Sequence, residues 1–370
     1  MNQRCFIKNS VLTTLCFPFF LSSLCADSSF EIYAKAHLSV DNIDNKTNRM
    51  HTIASNASRL GVRASYEIQK SLYAIAQLEM GVDLSGRGSN DDGNGGDFNN
   101  KKPTNGLLTS ARDSYVGIQS DFGTLIAGNI AGQNQWIYDY NLFADQVGDL
   151  GNLLGAAGVG PDRSRGSMAY ISPVFESLQG RVVYKAPSSN EGSEDLSALI
   201  AKLDYTPIEE LKASLSYIRV DLDSSDTQRK NPSQITLNSS YITKEFSVGG
   251  GYAFMKSPAY DTKERSLWYL GGSIRLLDAT TLKAHYVSLR DEERGSDAST
   301  LAVGVDYDLA KQVRLYFAGS TTKNGSQVYY STNNWGHGQS NLGIGDQGAD
   351  PIAVSFGFIY DFEKKISYEE

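Results

Sequence analysis

Apolar and polar side chains alternate with a period of two along most of the chain. The pattern is clear between residues 28 and 41, where every second residue is apolar. The apolar set comprises Phe30, Ile32, Ala34, Ala36, Leu38 and Val40, and the polar set comprises Glu31, Tyr33, Lys35, His37 and Ser39. A strand places alternate side chains on opposite faces, so this segment predicts a strand with one apolar and one polar face.

The same alternation recurs in sixteen segments. Most of them are about ten residues long, the length that a tilted strand needs to cross a bilayer. The segments are 28–41, 57–67, 72–83, 110–120, 124–129, 163–172, 178–186, 196–205, 211–221, 234–243, 246–255, 265–276, 281–290, 299–307, 313–322 and 351–362.

The connections between these segments are alternately short and long, which is how outer-membrane barrels arrange periplasmic turns and external loops. The pattern therefore predicts an all-β chain that forms a sixteen-stranded antiparallel transmembrane barrel. A soluble β-sandwich would show the same alternation strand by strand. The predicted strands exceed the usual length of five or six residues, and charges such as Lys35, Arg59 and Arg63 on the polar faces suit a wet lumen.

The first 26 residues have the layout of a secretory signal. Arg4 and Lys8 precede an apolar run over residues 11–24, and the small Ala26 follows it, so we expect cleavage after Ala26. All three cysteines (Cys5, Cys16 and Cys25) lie within this segment. The mature chain therefore has no thiol for a disulfide or a thiolate metal site.

Charge and chemistry exclude several functions. The predicted signal takes two of the 34 basic residues and none of the 42 acidic ones, which leaves a side-chain charge of −10. A net-acidic chain argues against nucleic acid as a partner. The four histidines are not paired at metal-ligand spacing. His285 and Ser288 are three apart on a predicted strand and so point to opposite faces, and we predict no catalytic residues, metal or cofactor.

Four stretches carry a resemblance to a known family. They are residues 32–37 (IYAKAH), 58–63 (SRLGVR), 114–118 with 121–124 (SYVGI and DFGT), and 138–149 (YDYNLFADQVGD). In this order and spacing they resemble the general diffusion porins of Gram-negative outer membranes. The resemblance implies a homotrimer surrounded by outer-membrane lipid and lipopolysaccharide, which passes small hydrophilic solutes and ions through a water-filled channel.

In that family the third long loop folds into the channel and sets acidic side chains opposite basic ones. The resemblance implies Asp145 and Asp149 as the acids. It implies Lys35, Arg59 and Arg163 as the bases, with Arg63, Asn129 and Arg165 as further candidates for lining the pore.

Two departures from the family pattern lead to further expectations. Asn129 stands where another base is expected, so the acids would face fewer opposing charges, which predicts modest cation selectivity. Phe362 would be the aromatic end of the barrel domain, residues 27–362. The polar residues 363–370 then predict a short, dispensable periplasmic extension.

Three other functions remain open at the level of sequence. A substrate-specific channel would have a track of lumen aromatics, to which Tyr33, Tyr73 and Tyr115 could contribute. An outer-membrane hydrolase would need a nucleophile and a base close together. A structural or adhesive barrel would have a plugged lumen.

Overall fold

The structure is a computed structural model that describes residues 28–85, 108–131, 139–159, 163–187, 195–223, 230–258, 263–337 and 345–368. The predicted signal, residues 1–26, lies outside the described residues.

Strands account for nearly all of the regular structure. They are β1 (Ser28–Asp44), β2 (Arg49–Ser55), β3 (Arg59–Gln69), β4 (Leu72–Val82), β5 (Leu108–Ala111), β6 (Ser114–Ser120), β7 (Gly123–Ala131), β8 (Arg163–Ile171), β9 (Leu178–Lys185), β10 (Asp195–Ile208), β11 (Leu211–Asp223), β12 (Ser233–Ile242), β13 (Phe246–Lys256), β14 (Glu264–Leu277), β15 (Thr280–Asp291), β16 (Ala298–Ala310), β17 (Val313–Asn324) and β18 (Ile352–Tyr368). A 3-10 turn (Leu150–Asn152) and a single α-turn, α1 (Leu154–Ala157), follow one another in the loop after β7. Over the described ranges, the model contains no helix with the length and apolar character of a membrane span.

All strands belong to one antiparallel sheet that closes on itself. β1 pairs with β18 along its whole length, from Ser28 opposite Tyr368 to Asp44 opposite Ile352. β2 and β3 both pair with the other edge of β1, and β5 and β6 both pair with β4. Each of these two pairs is therefore one barrel strand with a break in it, and the eighteen segments form the predicted sixteen-stranded barrel.

The alternation decides which side chains point inward. In β1, His37, Ser39 and Asp41 are buried in the barrel interior, whereas Val40 is 58% exposed on the outside. Large apolar side chains such as Leu78 and Val116 cover the outer surface in the same way. Lipid offers no hydrogen bonds to backbone groups, so a closed sheet with an apolar exterior is the form in which these strands can cross a membrane.

The end of the chain differs from its prediction. β18 continues past Phe362 to Tyr368, and residues 363–368 pair with residues 28–33 of β1. The last register pair of β18 with β17 is Tyr360 opposite Val313. The early start of β1 thus offers a strand partner to residues 363–368, which the sequence assigns to a tail.

Candidate functional site

The loop over residues 139–159, called the inward loop below, lies inside the barrel against its wall. Asp139 begins the described part of this loop. Its carboxylate accepts hydrogen bonds from Lys202 Nζ (2.5 Å), Asn238 Nδ2 (3.0 Å) and the hydroxyl of Ser214, which lie on β10, β12 and β11. Three adjacent strands therefore hold the start of the loop.

Aromatic side chains of the inward loop sit where the wall carries glycine. The hydroxyl of Tyr140 lies 2.9 Å from that of Ser247, and a Cβ on Gly249 would come within 2.7 Å of the Tyr140 ring. Phe143 is fully buried, and a Cβ on Gly304 would lie 3.0 Å from its ring. Glycine on β13 and β16 thus leaves the space that these rings occupy.

Asp145 forms a closed ion pair with the wall. Lys35 Nζ on β1 lies 2.8 Å from Asp145 Oδ2, and only 10% of the Lys35 side chain and 4% of the Asp145 side chain are exposed. Burial alone would raise the pKa of Asp145, but the charges of Lys35 and Arg59 outweigh it and hold the pKa below its usual value. The resemblance sets these two residues on opposite sides of the channel, whereas the structure joins them.

Asp149 is turned into its own loop. Its carboxylate accepts hydrogen bonds from Gly151 N (2.7 Å), Asn141 Nδ2 (2.9 Å) and Asp145 N (2.6 Å), and it caps the 3-10 turn. Burial and the adjacent charge of Asp145 raise its pKa to about 7, against these hydrogen bonds. The structure therefore corrects its expected position, because a carboxylate that caps its own loop does not face the bases of the wall.

On the wall, two guanidinium groups share one carboxylate. Arg112 Nε lies 2.6 Å from Glu79 Oε1, and Arg59 Nε lies 3.9 Å from Glu79 Oε2. The hydroxyl of Tyr33 also donates to Glu79 (2.8 Å). Among the described residues, the carboxylate of Glu79 is thus shared by two guanidinium groups.

Arg63 and Arg163 extend this row. Arg63 forms an ion pair with Glu31, and its guanidinium carbon lies 3.9 Å from the centroid of the Tyr33 ring. Arg163 Nε lies 2.9 Å from Asp113 Oδ1. We call the five residues Lys35, Arg59, Arg63, Arg112 and Arg163 the basic belt; they reach from β1 across β3 and the break after β5 to β8.

The break between β5 and β6 explains how two consecutive charges reach the lumen. Arg112 and Asp113 lie between the two strands, and both make ion pairs with inward side chains. A regular strand would turn one of two neighbours toward lipid. The break between β5 and β6 keeps both charges away from lipid. It also removes hydrogen bonds of the sheet, so backbone carbonyls at the break need other donors.

Asn129 satisfies those carbonyls. Its Nδ2 donates to Arg112 O (2.8 Å) and Ala111 O (3.2 Å). Asn129 is also out of phase with the buried Ile126 and Ile130 of the same strand. The amide of Asn129 therefore replaces hydrogen bonds of the sheet that the break removes.

Arg165 follows the belt residue Arg163 by two positions on β8. It is exposed, between the buried Ser164 and Ser167, where the register of β8 with β7 shifts and Gly166 has a φ of +64°. This bulge interrupts the alternation of β8 between Arg163 and Ser167.

The structure thus brings Lys35, Arg59, Arg63 and Arg163 into one row. Glu79, Arg112 and Asp113 complete it, although the sequence does not single them out for the site. Arg112 and Asp113 could have been found from the sequence because they are consecutive. Two neighbouring charged residues in a membrane strand cannot both face the lumen unless the strand is interrupted, so they predict a break. Within the described residues, no group of His, Cys, Asp and Glu could hold a metal ion.

A closed transmembrane barrel with a loop folded into a charged interior is the architecture of outer-membrane porins. The model of the family described as Gram-negative porin matches residues 12–327. The chain belongs to this family, and it is an outer-membrane protein.

Individual relatives agree with this assignment. The chain is 29% identical over 164 residues to the major outer membrane protein P.IB of Neisseria gonorrhoeae, a match over 43% of this chain and 41% of that protein. The anion-selective porin from Comamonas acidovorans has the same fold, with a TM-score of 0.72 and 19% identity over 90% of this chain and all of that one. The trimer form of Vibrio cholerae OmpT has a TM-score of 0.63 and 17% identity, and the match covers 90% of this chain and 99% of that one.

Proposed function

We propose that the chain forms a water-filled channel through which small hydrophilic solutes and ions diffuse passively across the outer membrane. The observation that carries this proposal is the charged interior of the barrel, where the basic belt and the inward loop replace the apolar packing of a solid core. Such an interior is stable only when water solvates the charges that remain partly exposed.

The charges of the interior further support a weak preference for anions. Within the part of the chain that the structure describes, the five cations of the belt pair with the carboxylates of Glu31, Glu79, Asp113 and Asp145. Lys202 and Asp204 of β10 form a cluster of opposite sign with Asp139 of the inward loop. β10 pairs with β9, where Lys202 lies opposite Arg181, so this cluster borders the belt, and the change of sign along the lumen orients polar solutes.

This preference replaces the cation selectivity that the sequence predicts. That prediction depends on Asp145 and Asp149 being free to attract cations. The carboxylate of Asp145 forms an ion pair with Lys35. The carboxylate of Asp149 accepts hydrogen bonds from its own loop. The Comamonas relative, whose name describes it as anion-selective, has the same preference.

We further propose that the channel is a homotrimer embedded in outer-membrane lipid and lipopolysaccharide. The exposed apolar side chains outside the barrel, among them Leu78 and Val116, supply surface for both subunits and lipid. The Vibrio OmpT structure described as a trimer supports the same assembly here.

Solute entry into proteoliposomes tests the channel directly. Vesicles containing the purified protein should swell when small sugars are supplied and should stay unchanged when large dextrans are supplied. Vesicles with heat-denatured protein are the control. Equal swelling rates in both preparations would contradict the proposed function.

A further inference from the structure

A second segment of the chain also lies inside the barrel. Residues 331–337 follow β17 in the long connection to β18 and are rich in polar side chains. Thr332, Asn333, Trp335 and His337 are nevertheless buried, with at most 5% exposed. We call residues 331–337 the second inward segment.

Trp335 packs on the short helical part of the inward loop. A Cβ on Gly151 would lie 2.2 Å from Cγ of Trp335, and a Cβ on Gly155 would lie 2.6 Å from Cζ3. Residues four apart share one face of a helical turn. The indole therefore lies along both glycines, and any larger residue at either position would displace it.

Hydrogen bonds fix the two segments together beside the indole. Asn334 N and Trp335 N both donate to Asn152 Oδ1, at 2.8 Å and 2.6 Å. Gly148 N donates to Thr332 O at 2.8 Å. These bonds bracket the indole, so the turn over residues 150–157 and the second inward segment form one unit.

The other side of the second inward segment is attached to the barrel wall. His337 Nε2 lies 3.3 Å from Asp41 Oδ2 on β1, and the hydroxyl of Thr332 donates to that of Ser320 on β17. Gly336 touches Asp145, since a Cβ there would lie 2.4 Å from Asp145 Oδ1. The segment thus connects the wall to the inward loop on the side away from the loop's start.

We propose that Trp335 is a positioning residue for the channel: it holds the turn over residues 150–157 at a fixed distance from the wall and so sets the open cross-section. The proposal rests on the proposed channel function. Without the indole, the two glycines lose their packing partner and the turn moves within the lumen. The long connection between β17 and β18 thereby controls a loop more than 180 residues earlier in the chain.

Trp335→Ala tests this role, with Trp268→Ala as the matched control. Trp268 lies on the outer surface of β14 and is 42% exposed, so its removal changes the same side chain on the opposite face of the barrel wall. In planar bilayers, Trp335→Ala should raise single-channel conductance and increase current noise several-fold, and Trp268→Ala should do neither. Trp335→Phe should bring the current noise most of the way back to the wild-type level. If Trp335→Ala has the same conductance and current noise as wild type, the proposal is overturned.

A reversible crosslink keeps the test decisive if Trp335→Ala folds poorly. The contact with Gly151 places the two Cβ atoms within the roughly 4.5 Å that a disulfide spans. The double variant Gly151→Cys with Trp335→Cys should show low current noise when oxidised and high current noise after dithiothreitol. Both states are measured on the same folded barrel. Identical traces in both states would overturn the proposal.

Protease sensitivity separates this proposal from the channel function. Chymotrypsin, which also cuts after leucine, should cut the inward loop at Leu153 or Leu154, between the two glycines that Trp335 contacts, in Trp335→Ala and leave it intact in wild type. A wild-type barrel that conducts no ions would contradict the proposed function, while protection of the loop in both proteins would contradict the positioning role.

Discussion

At the scale of single residues, the interior is organised by ion pairs that cross from the loop or between strands. Lys35 with Asp145 is the pair that joins the inward loop to β1. Removing one partner of a buried pair leaves a charge without compensation, which costs far more than the intact pair contributes. The position of the loop is therefore sensitive to either member.

Lys35→Met should release the inward loop. It leaves the buried carboxylate of Asp145 without its partner, at a cost of about 3–5 kcal/mol, and we expect a lower unfolding temperature and noisier currents. The double variant Lys35→Met with Asp145→Asn should recover much of the loss. Arg49→Met, which breaks an exposed pair with Asp44, is the control and should leave both measurements unchanged. Equal effects of Lys35→Met and Arg49→Met would contradict the account.

Asp149 should make the inward loop sensitive to pH near neutrality. Its folded pKa of about 7 lies above its ordinary value, so the folded state binds the proton more tightly than the unfolded state. This contribution to stability is present in full below the unfolded pKa and is lost as the pH rises through 7. Wild type should therefore gain current noise between one unit below and one unit above pH 7. Asp149→Asn should lack this step, and its persistence there would assign it to another group.

At the scale of elements, the strands follow from sequence and their interruptions do not. Period-two alternation is local, so the sixteen-stranded barrel can be predicted from it, although the predicted segments leave out β2, Arg49–Ser55. The break at Arg112 and Asp113 depends on Glu79 and Arg163, which come from distant parts of the chain. The role of Asn129 depends on that break, and the end of β18 depends on where β1 begins. Long-range pairing of this kind leaves little trace in a local pattern.

Asn129→Ala should weaken the barrel without changing its ion preference. The substitution removes the donor to the exposed Ala111 O and to the part-buried Arg112 O, and the loss of such a hydrogen bond costs about 1 kcal/mol. The temperature at which the heat-modifiable band unfolds in detergent gels should fall, and the reversal potential should stay at the wild-type value. A shifted reversal potential with full stability would return Asn129 to the pore lining.

Truncation after Phe362 should destabilise the closed sheet. It deletes residues 363–368, which form the partner of residues 28–33, and so exposes an edge of β1. Deleting only residues 369 and 370, which follow the strand, is the matched control. We expect a lower unfolding temperature for the longer deletion alone. Indistinguishable melting of both truncations and wild type would restore the view of a dispensable tail.

At the scale of the whole molecule, the net charge and the charges near the inward loop predict opposite ion preferences. The chain is acidic overall, with a net charge of −8, whereas among the described residues of the belt one carboxylate, Glu79, is shared by two cations. Charges more than ~10 Å from the path of an ion are largely screened at 0.1 M salt. The local belt should therefore decide ion preference, and the total charge should matter only in dilute salt.

The reversal potential of the wild-type channel in a planar bilayer, measured across a gradient of potassium chloride, tests the central claim directly. The belt, in which Glu79 is shared by Arg59 and Arg112, predicts a reversal potential with the sign of chloride preference. A reversal potential with the sign of potassium preference would contradict this account of the interior, and a bilayer that shows no conductance would contradict the channel itself.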